Sequence, residues 1–227
     1  MARLKGLSDT EHDQVSAAVT QAEMGTNGEI VTIVSESSDP YRDVALHYAV
    51  AAMLLPIGLF AWAPEVVQNK IAWLSQAWTA EAGISQLLLA LFVTEAILFL
   101  VVRYALAPLS FRLALAPQST KRRRVRRRAL LCFKVGAERR TANRVGVLLY
   151  MSLGEHMAEI VADAAIHAKV PPERWGDAMA ALVEHVRAGR SGDGMAAAVA
   201  AIGAIIGEHF PKTDDDLNEL PDRLIEL

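Results

Sequence analysis

Residues 145–153 read Val-Gly-Val-Leu-Leu-Tyr-Met-Ser-Leu, a continuous apolar run of the length expected for a strand in the middle of a sheet. A second candidate strand, 156–163, is joined to it at Leu153-Gly154-Glu155, so the two segments predict a β-hairpin. A lone hairpin is not stable in water and needs a further strand beside it. Residues 29–36, Glu-Ile-Val-Thr-Ile-Val-Ser-Glu, are rich in β-branched residues and are predicted to be that strand.

Helical segments flank these strands. Ser8-Asp9-Thr10-Glu11 has the spacing of a capping box and predicts a helix that runs to about Met24. After the strands we predict a helix at about 173–188, a break at Ser191-Gly192-Asp193-Gly194, and an alanine-rich helix from Met195 to His209. This pattern predicts an α/β sandwich. It is followed by a loosely packed acidic tail at 211–227, in which Leu217, Leu220, Leu224 and Ile225 are able to dock on the domain.

Two long apolar stretches divide the predicted domain. Residues 44–63 carry no formal charge, and residues 84–107 carry two charged side chains, Glu95 and Arg103. Each stretch is long enough to cross a bilayer as a helix. The whole chain is 52% hydrophobic with a mean hydropathy of +0.23, which agrees with membrane segments. We therefore predict that a two-helix transmembrane hairpin interrupts the α/β domain.

Charge is distributed unevenly about this hairpin. Residues 103–144 hold 13 Lys and Arg against one acid, whereas the connecting loop 64–83 offers only Lys70. The positive-inside rule then predicts an inner-membrane protein with both termini in the cytoplasm. The predicted divisions of the chain are 1–43, 44–107, 108–132, 133–210 and 211–227. Residues 108–132 either continue the second span as a helix or form a flexible basic linker, and Pro108 and Pro117 predict breaks in this segment.

The densest part of the basic segment is predicted to contact anionic lipid headgroups. RNA and the chain's own acidic residues 145–227, with 14 acids and 6 bases, are the alternative partners, although an aromatic content of 6% makes nucleic-acid binding unlikely. The predicted lipid-contacting residues are Lys121, Arg122, Arg123, Arg124, Arg126, Arg127 and Arg128.

One carboxylate, Glu95, lies near the middle of the second predicted span. An ionised carboxylate is costly at this depth, which suggests a proton or cation relay. The alternative is a protonated or paired carboxyl at a hairpin or oligomer interface. The single cysteine, Cys132, excludes an internal disulfide, and its apolar and basic neighbours indicate a buried thiol.

Three segments resemble a known family: 26–34, 141–150 and 159–163. In their order and content they are similar to the TPM domain, which occurs in a thylakoid-lumen acid phosphatase, in photosystem II repair proteins and in bacterial membrane proteins with inserted spans. The resemblance covers roughly 8–36 and 133–210. It implies an α/β sandwich and, as in some members, phosphatase activity or a divalent cation bound in an acidic pocket.

The sequence departs from this family where the phosphatase-like members have a glycine-rich stretch, since it reads Ala-Asp-Ala-Ala-Ile-His at 162–167. Side chains there hinder the approach of a phosphate or metal to the backbone. Glu29 and Asp163 are the candidate metal ligands, because the elements that carry them are expected to be neighbours in the sheet. Their structural alternatives are a solvated strand start for Glu29 and a cap or turn residue for Asp163.

Two functions remain open from the sequence. The first is a membrane-tethered binding or scaffolding module that assists the assembly or turnover of other membrane proteins. The second is a metal-dependent phosphatase near the membrane, which requires acids such as Glu29, Glu159 and Asp163 to converge on one concave site.

Overall fold

The computed structural model describes residues 6–63, 65, 84–136, 145–213, 220 and 222–227. The chain forms two compact units, one of Met1–Asp39 with Pro117–Leu227 and one of Pro40–Ala116. The first unit is built from helices and a mixed sheet, so the predicted α/β class is confirmed.

The described residues of the first unit form a four-stranded sheet in the order β3-β2-β1-β4. β1 is parallel to β2 and β4, while β2 and β3 form the predicted antiparallel hairpin. Every residue of β1 and β2 is buried, because helices cover both faces of the sheet. The strands are β1 Glu29–Ser35, β2 Gly146–Ser152, β3 Met157–Ala162 and β4 Ile225–Glu226.

Three helices cover the first face of the sheet. They are α1 Asp9–Glu23, α7 Arg174–Arg187 and α8 Ser191–His209. The predicted capping box at the start of α1 is present: Ser8 N donates to Glu11 Oε2 at 2.8 Å, and Glu11 N donates to Ser8 Oγ at 3.4 Å. Val15 and Val19, one turn apart on α1, are buried against this face.

A basic helix, α5 Gln118–Gly136, covers the second face. Val125, Ala129 and Phe133 recur at four-residue spacing and are buried against β1, β2 and β3. The α/β unit therefore resumes at Pro117 rather than at the predicted 133. The predicted breaks at Pro108 and Pro117 are confirmed, since they flank the short helix α4 Leu109–Leu115.

Two further predictions were wrong. Residues Ser191–Gly194 do not break a helix but form the first turn of α8, and the break lies at 188–190, where Gly189 has a φ of +74°. The described residues of the C-terminal tail are not loosely packed, although the predicted docking of its apolar residues agrees with the structure: Leu220 and Leu224 are buried, and Ile225–Glu226 pairs with β1. Residues 214–219 and 221 of that tail lie outside the described residues.

The second unit contains the two predicted apolar helices, α2 Arg42–Trp62 and α3 Ile84–Ala105, which pack against each other. Both are long and apolar enough to span a membrane by length and composition. The windows Arg42–Leu59 and Leu88–Ala105 have mean hydropathies of 1.3 and 2.1, and 17% and 6% of their residues are buried. Most of the predicted loop between them lies outside the described residues. A further short helix, α6 Ala164–His167, follows β3 in the first unit.

Candidate functional site

The two candidate metal ligands lie on either side of one glycine. Glu29 begins β1 opposite Gly146 of β2, and Asp163 follows β3 on the other side of Gly146. β2 therefore separates the two elements, and the expectation that they are neighbours was wrong. Since strands lie about 4.8 Å apart, the Cα atoms of Glu29 and Asp163 are roughly 10 Å apart.

Both carboxylates are buried, with a relative exposure of 6% each, and both accept backbone hydrogen bonds. Asp163 Oδ2 accepts from Gly146 N at 3.0 Å, and Glu29 Oε2 accepts from Leu220 N at 3.3 Å. The structural interpretation of Asp163 as an acceptor of backbone amides agrees with this contact, but Glu29 is not a solvated strand start. Both groups hold strand ends to neighbouring segments.

Glu159, the third acid considered, lies elsewhere on β3. It is paired in register with Tyr150 and forms an ion pair with Arg126 at 3.3 Å. Four residues separate it from Asp163, a distance of about 13 Å along an extended strand. The described residues contain no group of three or more His, Cys, Asp or Glu side chains that could hold a metal ion. The positions of Glu29, Glu159 and Asp163 do not fit the single divalent cation that the resemblance implies.

An acidic cavity of about 260 Å³ opens beside Glu29. Its lining includes Glu23 from the end of α1 and Asp222 from the C-terminal segment, neither of which the sequence analysis singled out. Glu23 lies one turn after Val19 on the buried stripe of α1, a position that could have identified it. Asp222 has no such local signal, because only the path of the C-terminal segment brings it to the cavity.

Glu23 is a carboxyl of this cavity with a strongly shifted pKa. Burial, together with the nearby Glu29 and Asp222, raises the pKa of Glu23 to about 8, although its hydrogen bond from Ile30 N, at 2.7 Å, opposes the shift. Asp222 Oδ2 accepts from Thr20 Oγ1 at 2.8 Å. The cavity can thus hold a proton at neutral pH, and Lys212 on its wall adds a cationic group.

A second polar cluster lies at the other end of β1 and β2. Tyr150 Oη and Ser38 Oγ are 3.0 Å apart, Ser38 N donates to Glu155 Oε1 at 3.0 Å, and Ser152 Oγ donates to Glu155. Burial raises the pKa of Tyr150, which keeps the phenol protonated. The cluster fixes the segment that leaves β1 toward Pro40 and is fully occupied by its own contacts.

The basic segment is a helix with distinct faces. Arg124 pairs with Asp39 at 2.6 Å and Arg126 pairs with Glu159, so two of the seven predicted lipid-contacting cations have protein partners. One face of α5 packs on the sheet through the apolar residues Val125, Ala129 and Phe133, and the partner of Arg126, Glu159, is an acid of the C-terminal part of the chain. Arg122, Arg123 and Arg127 are exposed, while Lys121 and Arg128 are partly buried.

The thiol of Cys132 is half-buried near Arg128, and burial raises its pKa. A raised pKa disfavours the nucleophilic thiolate, in agreement with the predicted unreactive cysteine. Glu95 lies in the middle of α3 and is buried. Within the described part of the chain, neither of its carboxyl oxygens has a hydrogen-bond partner. Since α2 is the helix packed against α3, this burial favours a hairpin interface.

The chain is similar in fold to the BA42 protein from the psychrophilic bacterium Bizionia argentinensis, whose structure was determined by NMR. The TM-score is 0.57 over 100% of this chain and 99% of that chain, with 16% sequence identity. At this identity the similarity shows the fold alone. No protein-family model and no curated protein matches the chain.

Proposed function

We propose that this chain is an integral membrane protein in which α2 and α3 form a transmembrane hairpin. The observation that carries this proposal is the outward apolar surface of both helices, where Leu55 is 61% exposed and Phe92 is 70% exposed. A core helix of a soluble protein is mostly buried, and monomeric soluble proteins rarely expose apolar patches of this extent. Apolar side chains exposed to water are unfavourable, whereas in the hydrocarbon core of a bilayer the same side chains contact lipid tails.

The charge distribution supports one orientation. Basic residues are concentrated after α3, whereas the sequence between α2 and α3 holds a single lysine, Lys70. By the positive-inside rule, the protein lies in the inner membrane with the α/β unit and both termini on the cytoplasmic side.

We further propose that the α/β unit is a TPM-like domain. Of the segments that resemble the family, 26–34 and the described residues of 141–150 fall largely in β1 and β2, which pair along their full length. The third segment, 159–163, covers the end of β3 and Asp163. The resemblance thus involves strands that are adjacent in the sheet.

For this unit we favour binding or scaffolding of other membrane proteins, in their assembly or turnover, over catalysis. Glu29 and Asp163 are engaged by backbone amides, and Glu159 is engaged by Arg126. A groove of about 620 Å³ between α1 and α8, lined mainly by small side chains such as Ala18, offers a concave surface to a partner.

A metal-dependent phosphatase is the second candidate function. The acidic cavity with Glu23, Glu29 and Asp222 is the observation that favours it. Perturbed carboxyls in a cavity are common at active sites, although structural networks also produce them.

The first test concerns the membrane. Alkaline phosphatase and a fluorescent protein are fused in turn to the C-terminus, and membranes are extracted with alkaline carbonate. We expect the chain to stay in the membrane pellet, the fluorescent fusion to fluoresce and the phosphatase fusion to be inactive. Release by carbonate would disprove the hairpin, and an active phosphatase fusion would disprove the orientation.

The second test separates the two functions. The detergent-solubilised protein is assayed with a generic phosphomonoester, with and without Ca²⁺, Mg²⁺ and Mn²⁺, beside two variants of the acidic cavity, Glu29→Gln and Asp222→Asn, and the exposed control Glu184→Gln. The binding module is expected to show no activity above background. Metal-dependent turnover that is lost in the first two variants and kept in the control would establish the phosphatase.

A further inference from the structure

The side of α5 that faces away from the sheet has an unusual composition. We define the outward stripe of α5 as Arg123, Arg127, Leu130, Leu131 and Lys134, all of which are exposed. At 3.6 residues per turn these five positions fall within about 100° of the helix circumference, opposite the buried Val125, Ala129 and Phe133. Both sides of this helix therefore carry large apolar side chains.

The cations of the outward stripe are available to an external ligand. Arg124 and Arg126 pair with Asp39 and Glu159, but Arg123, Arg127 and Lys134 form no ion pair with any residue that the structure describes. Arginine and lysine on one side of a helix, without an ion-pair partner among the described residues, are suited to an anionic surface.

The leucines make a soluble acidic partner a poor match. Leu131 is 54% exposed and lies one turn after Arg127, with Leu130 beside it. A helix that lies at a membrane interface combines such apolar side chains, which enter the acyl region, with flanking cations at the level of the phosphates. Free phosphate or an acidic loop would match the cations but leave the leucines in water.

The position of α5 in the chain points to the same surface. Only residues 106–117 separate it from α3, so a hairpin that crosses the bilayer brings α5 within reach of the headgroups. The bilayer's anionic lipids are attracted to basic segments next to a span.

We propose that the outward stripe of α5 docks on the anionic headgroups of the bilayer that the hairpin crosses, with Leu130 and Leu131 inserted below the phosphates. The proposal rests on the proposed function, because it requires the hairpin to be in the membrane. The lipid-contacting set thus differs from the seven predicted cations. Arg124 and Arg126 form ion pairs within the protein, and Lys134, Leu130 and Leu131 are added to the lipid contact. α5 then connects the sheet on one side to the bilayer on the other.

The experiment places a nitroxide spin label on the full chain in lipid nanodiscs. In a Cys132→Ser background, Leu131→Cys is labelled, and its collision rates with oxygen and with a water-soluble nickel chelate are measured by electron paramagnetic resonance. The discs contain phosphatidylcholine either alone or mixed with phosphatidylglycerol. A label at Leu55→Cys reports separately on the hairpin.

We expect the label at 131 to collide more with oxygen than with the nickel chelate in anionic discs, and to shift toward the chelate in neutral discs. Arg123→Glu with Arg127→Glu should produce the same shift in anionic discs. The matched control, Arg187→Glu with Arg223→Glu, changes the same charge at exposed positions outside α5 and should leave the label in lipid.

The two labels separate the possible failures. If the label at 55 meets oxygen while the label at 131 meets the chelate in both kinds of disc, the hairpin stands and the docking is wrong. If both labels meet the chelate, the proposed membrane function is wrong as well. Low collision rates with both reagents at 131 would indicate a protein partner on the stripe and would also overturn the proposal, as would equal insertion into neutral and anionic discs.

Discussion

Glu23 shows how a single carboxyl on an apolar helix face can make stability depend on pH. The folded protein keeps this group protonated up to about pH 8, whereas the unfolded chain releases the proton near the ordinary value of 4.5. Between these values the folded state binds more protons than the unfolded state. The free energy of unfolding therefore falls as the pH rises through this window and levels off above it.

Replacing Glu23 by Gln removes the titrating group and should flatten this dependence. In the wild type we expect the free energy of unfolding to fall by up to about 1.4 kcal/mol per pH unit within the window, and in Glu23→Gln by clearly less. Thermal unfolding of the detergent-solubilised chain at a series of pH values measures both slopes. Glu184→Gln, an exposed position on α7, is the control. Identical slopes in Glu23→Gln and the wild type would show that Glu23 titrates normally.

At the scale of elements, the contact of α1 with α8 depends on Gly203. A Cβ atom added there would lie 2.6 Å from the Cβ of Ala22 and 3.1 Å from its Cα, and neither atom belongs to a flexible side chain. We expect Gly203→Ala to separate the helices and destabilise the unit by about 1–3 kcal/mol. Gly176→Ala on α7, where nothing lies within 4 Å, should be neutral or stabilising by up to about 1 kcal/mol. Equal melting temperatures for the two variants would contradict the close packing.

The two faces of α5 should respond differently to truncation. Phe133 is buried in the second face of the sheet, whereas Leu131 on the outward stripe is exposed. We expect Phe133→Ala to cost about 3–5 kcal/mol and Leu131→Ala to stay within roughly 0.5 kcal/mol, measured by denaturant unfolding in detergent, where no bilayer is present. A mild effect of Phe133→Ala would mean that α5 does not cover the sheet.

At the scale of the whole molecule, the α/β unit is assembled from distant parts of the chain. β1 precedes the unit Pro40–Ala116, β2 follows it, and β4 comes from the C-terminus. Parallel strands require a long connection, and here that connection contains both the apolar helices and α5. The insertion therefore occurs where the topology already demands a crossover.

The two-residue C-terminal strand β4 is expected to contribute more to the stability of the α/β unit than its length suggests. Deleting residues 223–227 removes Leu224 from the core and unpairs the edge of β1, whose Val34 O accepts from Leu227 N at 2.9 Å. We expect a lower melting temperature and a tendency to self-associate through the open edge. Size-exclusion chromatography in detergent measures the latter, with Arg223→Ala as the control. Monodisperse behaviour of the truncated chain at the wild-type melting temperature would show that β4 is dispensable.

Much of the local structure follows from the sequence. The spacing of Ser8 and Glu11 predicted the start of α1, the apolar run at 145–153 predicted β2, and the prolines 108 and 117 predicted the ends of α4. Each of these signals lies within a few residues, and the backbone hydrogen bonds or dihedral angles that it controls are equally local. The length and hydropathy of α2 and α3 are also local signals, because each can be read from one continuous stretch of sequence.

The tertiary structure alone decided which of these elements meet. Nothing near Glu29 or Asp163 indicated that β2 would lie between them, and nothing near Asp222 indicated that it would approach Glu23. Likewise, a run of seven cations looked like a single lipid-binding segment until α5 packed on the sheet and divided them between Asp39, Glu159 and the outside. The order of strands and the burial of a side chain depend on the packing of segments that are distant in the chain, which no local pattern of residues encodes.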